Sequence, residues 1–260
     1  EHVEASLSWS SIPLFEPRLA SLAIYKPELT IRRELDGTIY VAGISMSGPS
    51  KPEFPNWLLR QASINVSDAD IIWQDEFRHA PELELNHLNL QIENPAWDRI
   101  RNHHRFSLRA TPSAAASKPI DIRGNVFGKD VSHLEDWYGT LYAKAEGTDV
   151  AAWRNWIDYP FDLREGQGAA QFWVDFADNR LESLTSDVLL NNVKTKLPYQ
   201  HNNGEETTLF NNIAGRIKWM RHSDGQEIQG QNLKLVTSNE LSMKSGTFSI
   251  RERLIKQQTV

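Results

Sequence analysis

Cysteine is missing from all 260 residues of this sequence, and its absence excludes several kinds of chemistry. Without a thiol there is no disulfide framework, no thiolate metal site and no cysteine nucleophile. The sequence also lacks any apolar run of about 18 residues, the length that a membrane-spanning helix needs. Within these residues, the sequence therefore gives no sign of thiol chemistry or of a transmembrane helix.

An excess of positive charge is also missing. The chain has 28 Lys and Arg against 34 Asp and Glu, a formal net charge of −6. A nucleic-acid-binding protein usually carries a concentrated basic surface, because it neutralises phosphates. The basic residues here are scattered, and none of their groupings is dense enough for a polybasic membrane patch. We therefore expect no nucleic-acid partner.

Short runs in which apolar and polar residues alternate are the main feature of this sequence. Leu29–Arg33 and Ile39–Val41 flank Asp36–Gly37, a dipeptide typical of a hairpin turn, and Asp224–Gly225 predicts a second hairpin. The alternation slips by one residue at Asn86–His87, which predicts a bulge or bend. A period of two gives each strand one apolar and one polar face, as in antiparallel sheets covered on one side.

About a dozen such runs follow one another. By themselves they permit a sandwich, a barrel or an extended open sheet. The residues that we expect to form the apolar face are Ile64, Val66, Leu83, Leu85, Leu88, Leu90, Phe106, Leu108, Ile120, Ile122, Val126, Phe172, Val174, Ile213, Ile217, Leu233 and Leu235.

Helical patterns are few. Asp149 is suited to be the N-cap of a helix over Val150–Ile157, which Pro160 would end. Trp153, Trp156 and Ile157 would then share one helical face. A second short helix is predicted over Phe54–Arg60, with Asn56 as its cap.

Candidate catalytic and metal-binding residues do not combine into a site. His103 and His104 are adjacent, so in a strand they point to opposite faces and cannot easily share a metal ion. Acidic pairs such as Asp68 and Asp70 lie at predicted turns, where Asp is favoured for its backbone hydrogen bonds. The sequence contains no nucleophile elbow, Walker loop or dinucleotide-binding fingerprint. We expect no enzyme activity, no metal and no cofactor.

Nine tryptophans are the one unusual feature of the composition. Tryptophan can stack on sugars in a carbohydrate-binding module, or it can fill the core of a thin sheet protein. A sugar site needs two or three of them on one surface, whereas these are spread over the whole chain. Their dispersion favours a structural role.

Several short segments stand out by their order and spacing, and they are Trp57–Gln61, Ile71–Glu76, Ala80–Leu83, His104–Pro112, Ile120–Gly124, Trp137–Ala143, Asp149–Trp156 and Gly166–Gly168. Through these segments the stretch from Asn56 to Leu197 resembles the YhdP-like branch of the AsmA-like family, and Leu29–Ile44 fits the same pattern. After these segments, the last sixty or so residues match only as further strand repeats.

The resemblance implies a bridge-like lipid-transfer protein of the Gram-negative envelope. Such proteins have an N-terminal helix in the inner membrane and a long periplasmic sheet. The sheet is U-shaped and carries phospholipid acyl chains towards the outer membrane. It implies for this chain a mainly β fold, an extended, curved antiparallel sheet that forms an open groove, with one or two short helices.

The resemblance also implies an organisation and a set of partners. Residues 1–260 would be one section of a longer periplasmic protein, with upstream strands over 1–50, a family-like core over 51–198 and further strand repeats over 199–260. The partners would be phospholipid acyl chains, the remaining segments of the same long chain, and the membrane through the anchoring helix. The apolar residues listed above would line the groove, and Trp153, Trp156 and Ile157 would cover it.

Two other interpretations stay open at this point. One is a β-sandwich module that binds a glycan or a partner protein. The other is a passive scaffold that holds envelope components apart, its apolar face buried by its own helices and loops.

Overall fold

A single sheet of fifteen strands accounts for most of the chain. The computed structural model describes residues 2–46, 53–94, 102–131, 133–157, 162–196, 207–239 and 241–253. The strands are β1 (His2–Leu7), β2 (Leu19–Tyr25), β3 (Glu28–Arg33), β4 (Ile39–Val41), β5 (Ile44–Ser45), β6 (Ser63–Asp75), β7 (Leu83–Glu93), β8 (His103–Pro112), β9 (Ile120–Phe127), β10 (Tyr138–Asp149), β11 (Asp162–Ala177), β12 (Arg180–Lys196), β13 (Thr208–His222), β14 (Gly225–Thr237) and β15 (Ser242–Arg253).

Strands β6 to β15 form a meander in which each strand pairs antiparallel with the next one along the chain. The sheet is open and curved, as the family resemblance implies, and β15 lies at one side of it. Since the described strands belong to one sheet, they do not form the two-sheet sandwich that alternation alone would have allowed.

The first five strands are arranged differently. Strands β2 and β3 both pair with β6, and both pairings are parallel. The sheet is therefore mixed, and the antiparallel order that the sequence predicts holds throughout β6 to β15. The predicted hairpin at Asp36–Gly37 joins β3 to β4, where Gly37 has a φ of 86° that suits glycine. The second predicted hairpin joins β13 to β14, with His222 opposite Gly225.

The predicted slip at Asn86–His87 is a bulge. The register between β7 and β8 shifts between Asn86 and Asn89, and His87 has a φ of 52°. The partner strand β6 has its own shift between Val66 and Ala69. Because both strands slip together, the apolar residues return to the same face on either side of the bulge.

The helices are short. Those of the described residues are α1 (Ser11–Leu14), α2 (Glu53–Leu59) and two 3₁₀ turns at Leu134–Asp136 and Ala152–Asn155. The prediction of a helix over Phe54–Arg60 is close, but Asn56 lies inside α2 instead of capping it.

The helix predicted over Val150–Ile157 is reduced to the 3₁₀ turn Ala152–Asn155. The N-cap of this turn is Ala151 and not Asp149 as predicted, although Asp149 Oδ1 accepts hydrogen bonds from the N–H groups of Ala151 (3.0 Å) and Ala152 (3.2 Å) just before and at its start. The chain just before the turn is held by the sheet, because Val150 donates its N–H to the Gly166 carbonyl and is buried in the core. This anchoring competes with a longer helix.

Two apolar clusters hold the sheet together. One contains Ala69, Ile71, Leu88 and Ala110 from β6, β7 and β8. The other combines Val150 with four residues of β11, β12 and β13, which are Leu163, Leu190, Val193 and Phe210. Both clusters lie near the side of the sheet where β6 is connected to β7 and β10 is connected to β11. We call this side the Trp156 edge, because Trp156 lies in the connection between β10 and β11.

Candidate functional site

One face of the sheet carries mainly apolar side chains in two rows that cross the strands. Residues paired across neighbouring strands share a face, so the registers trace each row directly. The first row is Ile24, Val66, Leu90, Leu108, Ile122, Ala143, Phe172, Ser186, Ile217, Gly230 and Phe248.

A second row runs beside the first, two residues away along each strand. It consists of Leu22, Ile64, Ile92, Phe106, Gly124, Leu141, Val174, Leu184, Trp219, Ile228 and Ile250. Each row spans β2 and β6 to β15. We call the surface that contains both rows the apolar face.

The registers bring all the predicted groove residues to the apolar face. Nine of them form part of the two rows, namely Ile64, Val66, Leu90, Phe106, Leu108, Ile122, Phe172, Val174 and Ile217. The others flank the rows on the same face, and they are Leu83, Leu85, Leu88, Ile120, Val126, Ile213, Leu233 and Leu235.

The apolar face becomes more exposed towards β15. Ile64, in β6, is 3% exposed, whereas Ile217 in β13 is 36% exposed. Further along the rows, Phe248 is 39% exposed and Ile250 is 61% exposed. Exposed apolar area of this extent is unfavourable in water and is usually found where another apolar molecule binds.

The opposite face is polar. Its middle row reads Asn65, Gln91, Ser107, Arg123, Tyr142, Trp173, Thr185, Lys218, Gln229 and Ser249. This face also carries ion pairs, such as that of Arg216 with Asp187 at 2.6 Å. The hydrogen bond from Arg216 lowers the pKa of the Asp187 carboxyl below its ordinary value. The two faces of the sheet thus differ sharply in polarity.

A buried polar cluster closes the other side of the sheet, where β7 turns into β8 and β9 turns into β10, which we call the α2 edge. Asn94 donates hydrogen bonds to the carbonyls of Leu59 and Gln61, each at 2.8 Å. Gln61 in turn accepts one from the Leu19 N–H at 2.6 Å. Gln61 and Asn94 are fully buried, so these bonds join α2, β2 and β7 without contact to solvent.

His104 belongs to the same cluster. Its Nδ1 lies 2.7 Å from Asn94 Oδ1, and its Nε2 lies 2.9 Å from the Gly128 carbonyl oxygen. Burial lowers the pKa of His104, while the hydrogen bond to Gly128 opposes that shift. The neighbouring His103 instead stacks on Phe127 at 4.4 Å, on the polar face. The two histidines therefore point to opposite faces, as predicted.

A second link on the α2 edge joins α2 to the connection between β9 and β10. Asn56 donates a hydrogen bond to Asp130 Oδ1 at 2.8 Å and accepts one from the Val131 N–H at 3.0 Å. Trp137 then donates to the Asp130 carbonyl at 2.9 Å. These contacts connect parts of the chain that lie 74 residues apart.

The predicted cover residues lie along the Trp156 edge. Trp153 donates a hydrogen bond to Thr148 Oγ1 at 2.7 Å, and Trp156 donates to the Pro81 carbonyl at 3.1 Å. The two indole rings pack edge to face at 5.9 Å, and Ile157 is 49% exposed. The segment after β10 therefore reaches past β9 and β8 to the connection between β6 and β7. Whether it covers the groove stays a prediction.

Other kinds of site find no support among the described residues. Their His, Asp and Glu side chains form no group of three that could hold a metal ion. None of the described helices is long and apolar enough to span a bilayer. A sugar-binding platform would need coplanar tryptophans, but the one contact between two indoles among the described residues, Trp153 with Trp156, is edge to face. Trp97 lies outside the described residues.

The comparison with protein families agrees with the geometry. The family model described as "YhdP protein" matches residues 1–258. The chain belongs to the YhdP family. YhdP is a member of the AsmA-like group, and the match extends beyond residues 51–198 on both sides. No curated protein and no solved structure matches the chain.

Sequence reasoning missed two features of this YhdP-family chain. The first is the buried cluster of Gln61, Asn94 and His104, because a polar residue near a strand end has no local pattern that marks it as buried. The second is Ser186, which interrupts the first apolar row. A closer inspection of the alternation in β12 would have found Ser186, since it occupies an apolar position between Leu184 and Val188.

Proposed function

We propose that this chain is a non-catalytic section of a lipid-transport bridge in the cell envelope. Its apolar face shields phospholipid acyl chains from water as they pass between the inner and the outer membrane. The observation that carries the proposal is the pair of apolar rows, which continue from β2 to β15 while many of their side chains stay partly exposed. Membership of the YhdP family supports it.

The dimensions of the rows suit an acyl chain. Ten strands from β6 to β15 have nine spacings, which at ~4.8 Å each give a row of about 43 Å. One leaflet contributes roughly half of a hydrocarbon core of about 30 Å. The row is thus two to three times as long as one acyl chain. Shielding an acyl chain along such a row requires no chemical step.

The sheet edges bear on the partners. Among the described strands, β15 pairs only with β14, and its residues are nearly all exposed. An exposed edge strand offers unpaired backbone groups to another strand. We propose that further segments of a longer chain pair there and continue the apolar rows, that the assembly is periplasmic, and that an N-terminal helix outside this section anchors it in the inner membrane.

The test begins with the purified protein. An organic extract analysed by mass spectrometry is expected to contain phospholipid. Placing Asp at Leu108, in the middle of the first row, should reduce the lipid content strongly, because a carboxylate in hydrocarbon costs about 2.5–3.5 kcal/mol, roughly a hundredfold in occupancy. Ile122→Asp, on the next strand, is expected to act in the same way.

Ser107→Asp is the matched control. Ser107 neighbours Leu108 on β8 but lies on the polar face, between Gln91 and Arg123. It should keep the lipid content of the unchanged protein, and circular dichroism should show that all variants fold. The proposal would be contradicted if the extract of the unchanged protein contained no phospholipid. It would also be contradicted if Ser107→Asp lost as much lipid as Leu108→Asp.

A further inference from the structure

Ser186 is the single hydroxyl-bearing residue in the two apolar rows. It lies in β12, opposite Phe172 of β11 and Ile217 of β13. On its own strand, the nearest residues of the same face are Leu184 and Val188, which are also apolar. Its polar atom therefore lies on a mainly apolar surface, and its nearest neighbours along and across the strands are apolar.

The Ser186 hydroxyl has no hydrogen-bond partner among the described residues. The residue is 7% exposed, and its Oγ is buried. The other buried polar side chains of the described residues are all bonded, as Asn94 is to His104 and as Thr148 is to the Ala115 carbonyl at 2.8 Å. A buried hydroxyl without a partner is unfavourable, and in native proteins such an exception commonly marks the place of a water or a ligand.

The surroundings define the chemistry of the missing partner. The nearest charged residues, Asp187 and Arg216, pair with each other on the opposite face, so no charged group is available beside the hydroxyl. A phosphate or a carboxylate would remain without a counter-ion here, and its desolvation would not be compensated. A neutral acceptor on a mainly apolar molecule fits, and the ester carbonyl of an acyl lipid is such a group.

We propose that the Ser186 hydroxyl donates a hydrogen bond to an ester carbonyl oxygen of a lipid on the apolar face. This inference rests on the proposed function and adds a fixed position for one part of the lipid. Because its Oγ is buried, the proposal requires a neighbouring side chain to change its rotamer, and Ile217, which pairs with Ser186, is 36% exposed.

Two lipids that differ only in the linkage of their chains test the proposal. The probes are a phosphatidylcholine with ester-linked chains and one with ether-linked chains of the same length, which lacks the carbonyl groups. Their affinities are compared by displacement of a fluorescent lipid. The unchanged protein should prefer the ester lipid about two- to tenfold, the range expected for one hydrogen bond.

Ser186→Ala should bind both lipids equally, at the level of the ether lipid. Ser107→Ala removes a hydroxyl from the polar face and should retain the preference. Equal affinities in the unchanged protein, as expected if water alone satisfies Ser186, would overturn the inference, and so would a preference that persists in Ser186→Ala. Both results leave the proposed function standing. Failure of either lipid to bind the unchanged protein would overturn the proposed function and the inference together.

Discussion

Removing the Asn94 side chain should destabilise the protein strongly, because three hydrogen bonds of the buried cluster end on it. Its amide nitrogen donates to Leu59 and Gln61, and its oxygen lies 2.7 Å from His104. In Asn94→Ala the carbonyls of Leu59 and Gln61 and the Nδ1 of His104 lose these bonds in a largely buried cluster. At about 1 kcal/mol each, the loss in the free energy of unfolding is about 3 kcal/mol. This corresponds to roughly a hundredfold change in the ratio of folded to unfolded protein.

Urea denaturation followed by circular dichroism measures this loss. Gln91→Ala is the control, since Gln91 lies on β7 three residues before Asn94 and its exposed side chain donates a hydrogen bond to Glu93 at 2.9 Å. We expect the control to change the free energy of unfolding by less than about 0.5 kcal/mol. If Asn94→Ala lost no more than the control, the cluster would not be stabilising the α2 edge, and our account of that edge would be wrong.

Two further predictions concern stability. Burial lowers the pKa of His104 below its ordinary 6.5, so the unfolded chain binds a proton that the folded chain does not, and the free energy of unfolding should fall as the pH drops below about 6.5. In His104→Gln the free energy of unfolding should depend less on pH, as measured by urea denaturation at several pH values around 6.5. A rise in stability on acidification would contradict this prediction, because it would mean that the Asn94 and Gly128 oxygens stabilise a doubly protonated His104 ring. Gly168→Ala should lower the free energy of unfolding by at least about 2 kcal/mol in the same assay, because the added Cβ would overlap the Leu189 carbonyl oxygen. Unchanged stability would refute the close approach of Gly168 to the Leu189 carbonyl.

Much of the sheet could be predicted because its signal is local. Alternation placed Leu108 and Ile122 on one face, and the slip at Asn86–His87 marked the bulge, since neighbouring residues along a strand decide both. The parallel pairing of β2 and β3 with β6 could not be found in this way. It joins segments about forty residues apart, and no local pattern encodes it.

The candidate site was predictable to the same extent. The apolar face follows from alternation, but its openness depends on the number of sheets, which alternation does not determine. Trp156 illustrates the limit. Helical spacing suggested a helix, whereas the hydrogen bond to Pro81, 75 residues away along the chain, helps to hold this segment at the edge of the sheet. Contacts over such distances depend on the assembled sheet.

The order of the strands has a consequence for how the chain folds during synthesis. From β7 onward, each strand pairs with the one made just before it, so every new strand can dock as soon as it is complete. Strands β2 and β3 can pair first with β1 and β4, but both must wait for β6, which is made after them. The strand pairs at the beginning of this section should therefore join the sheet only after β6 has been made, while the rest grows in one direction, strand by strand.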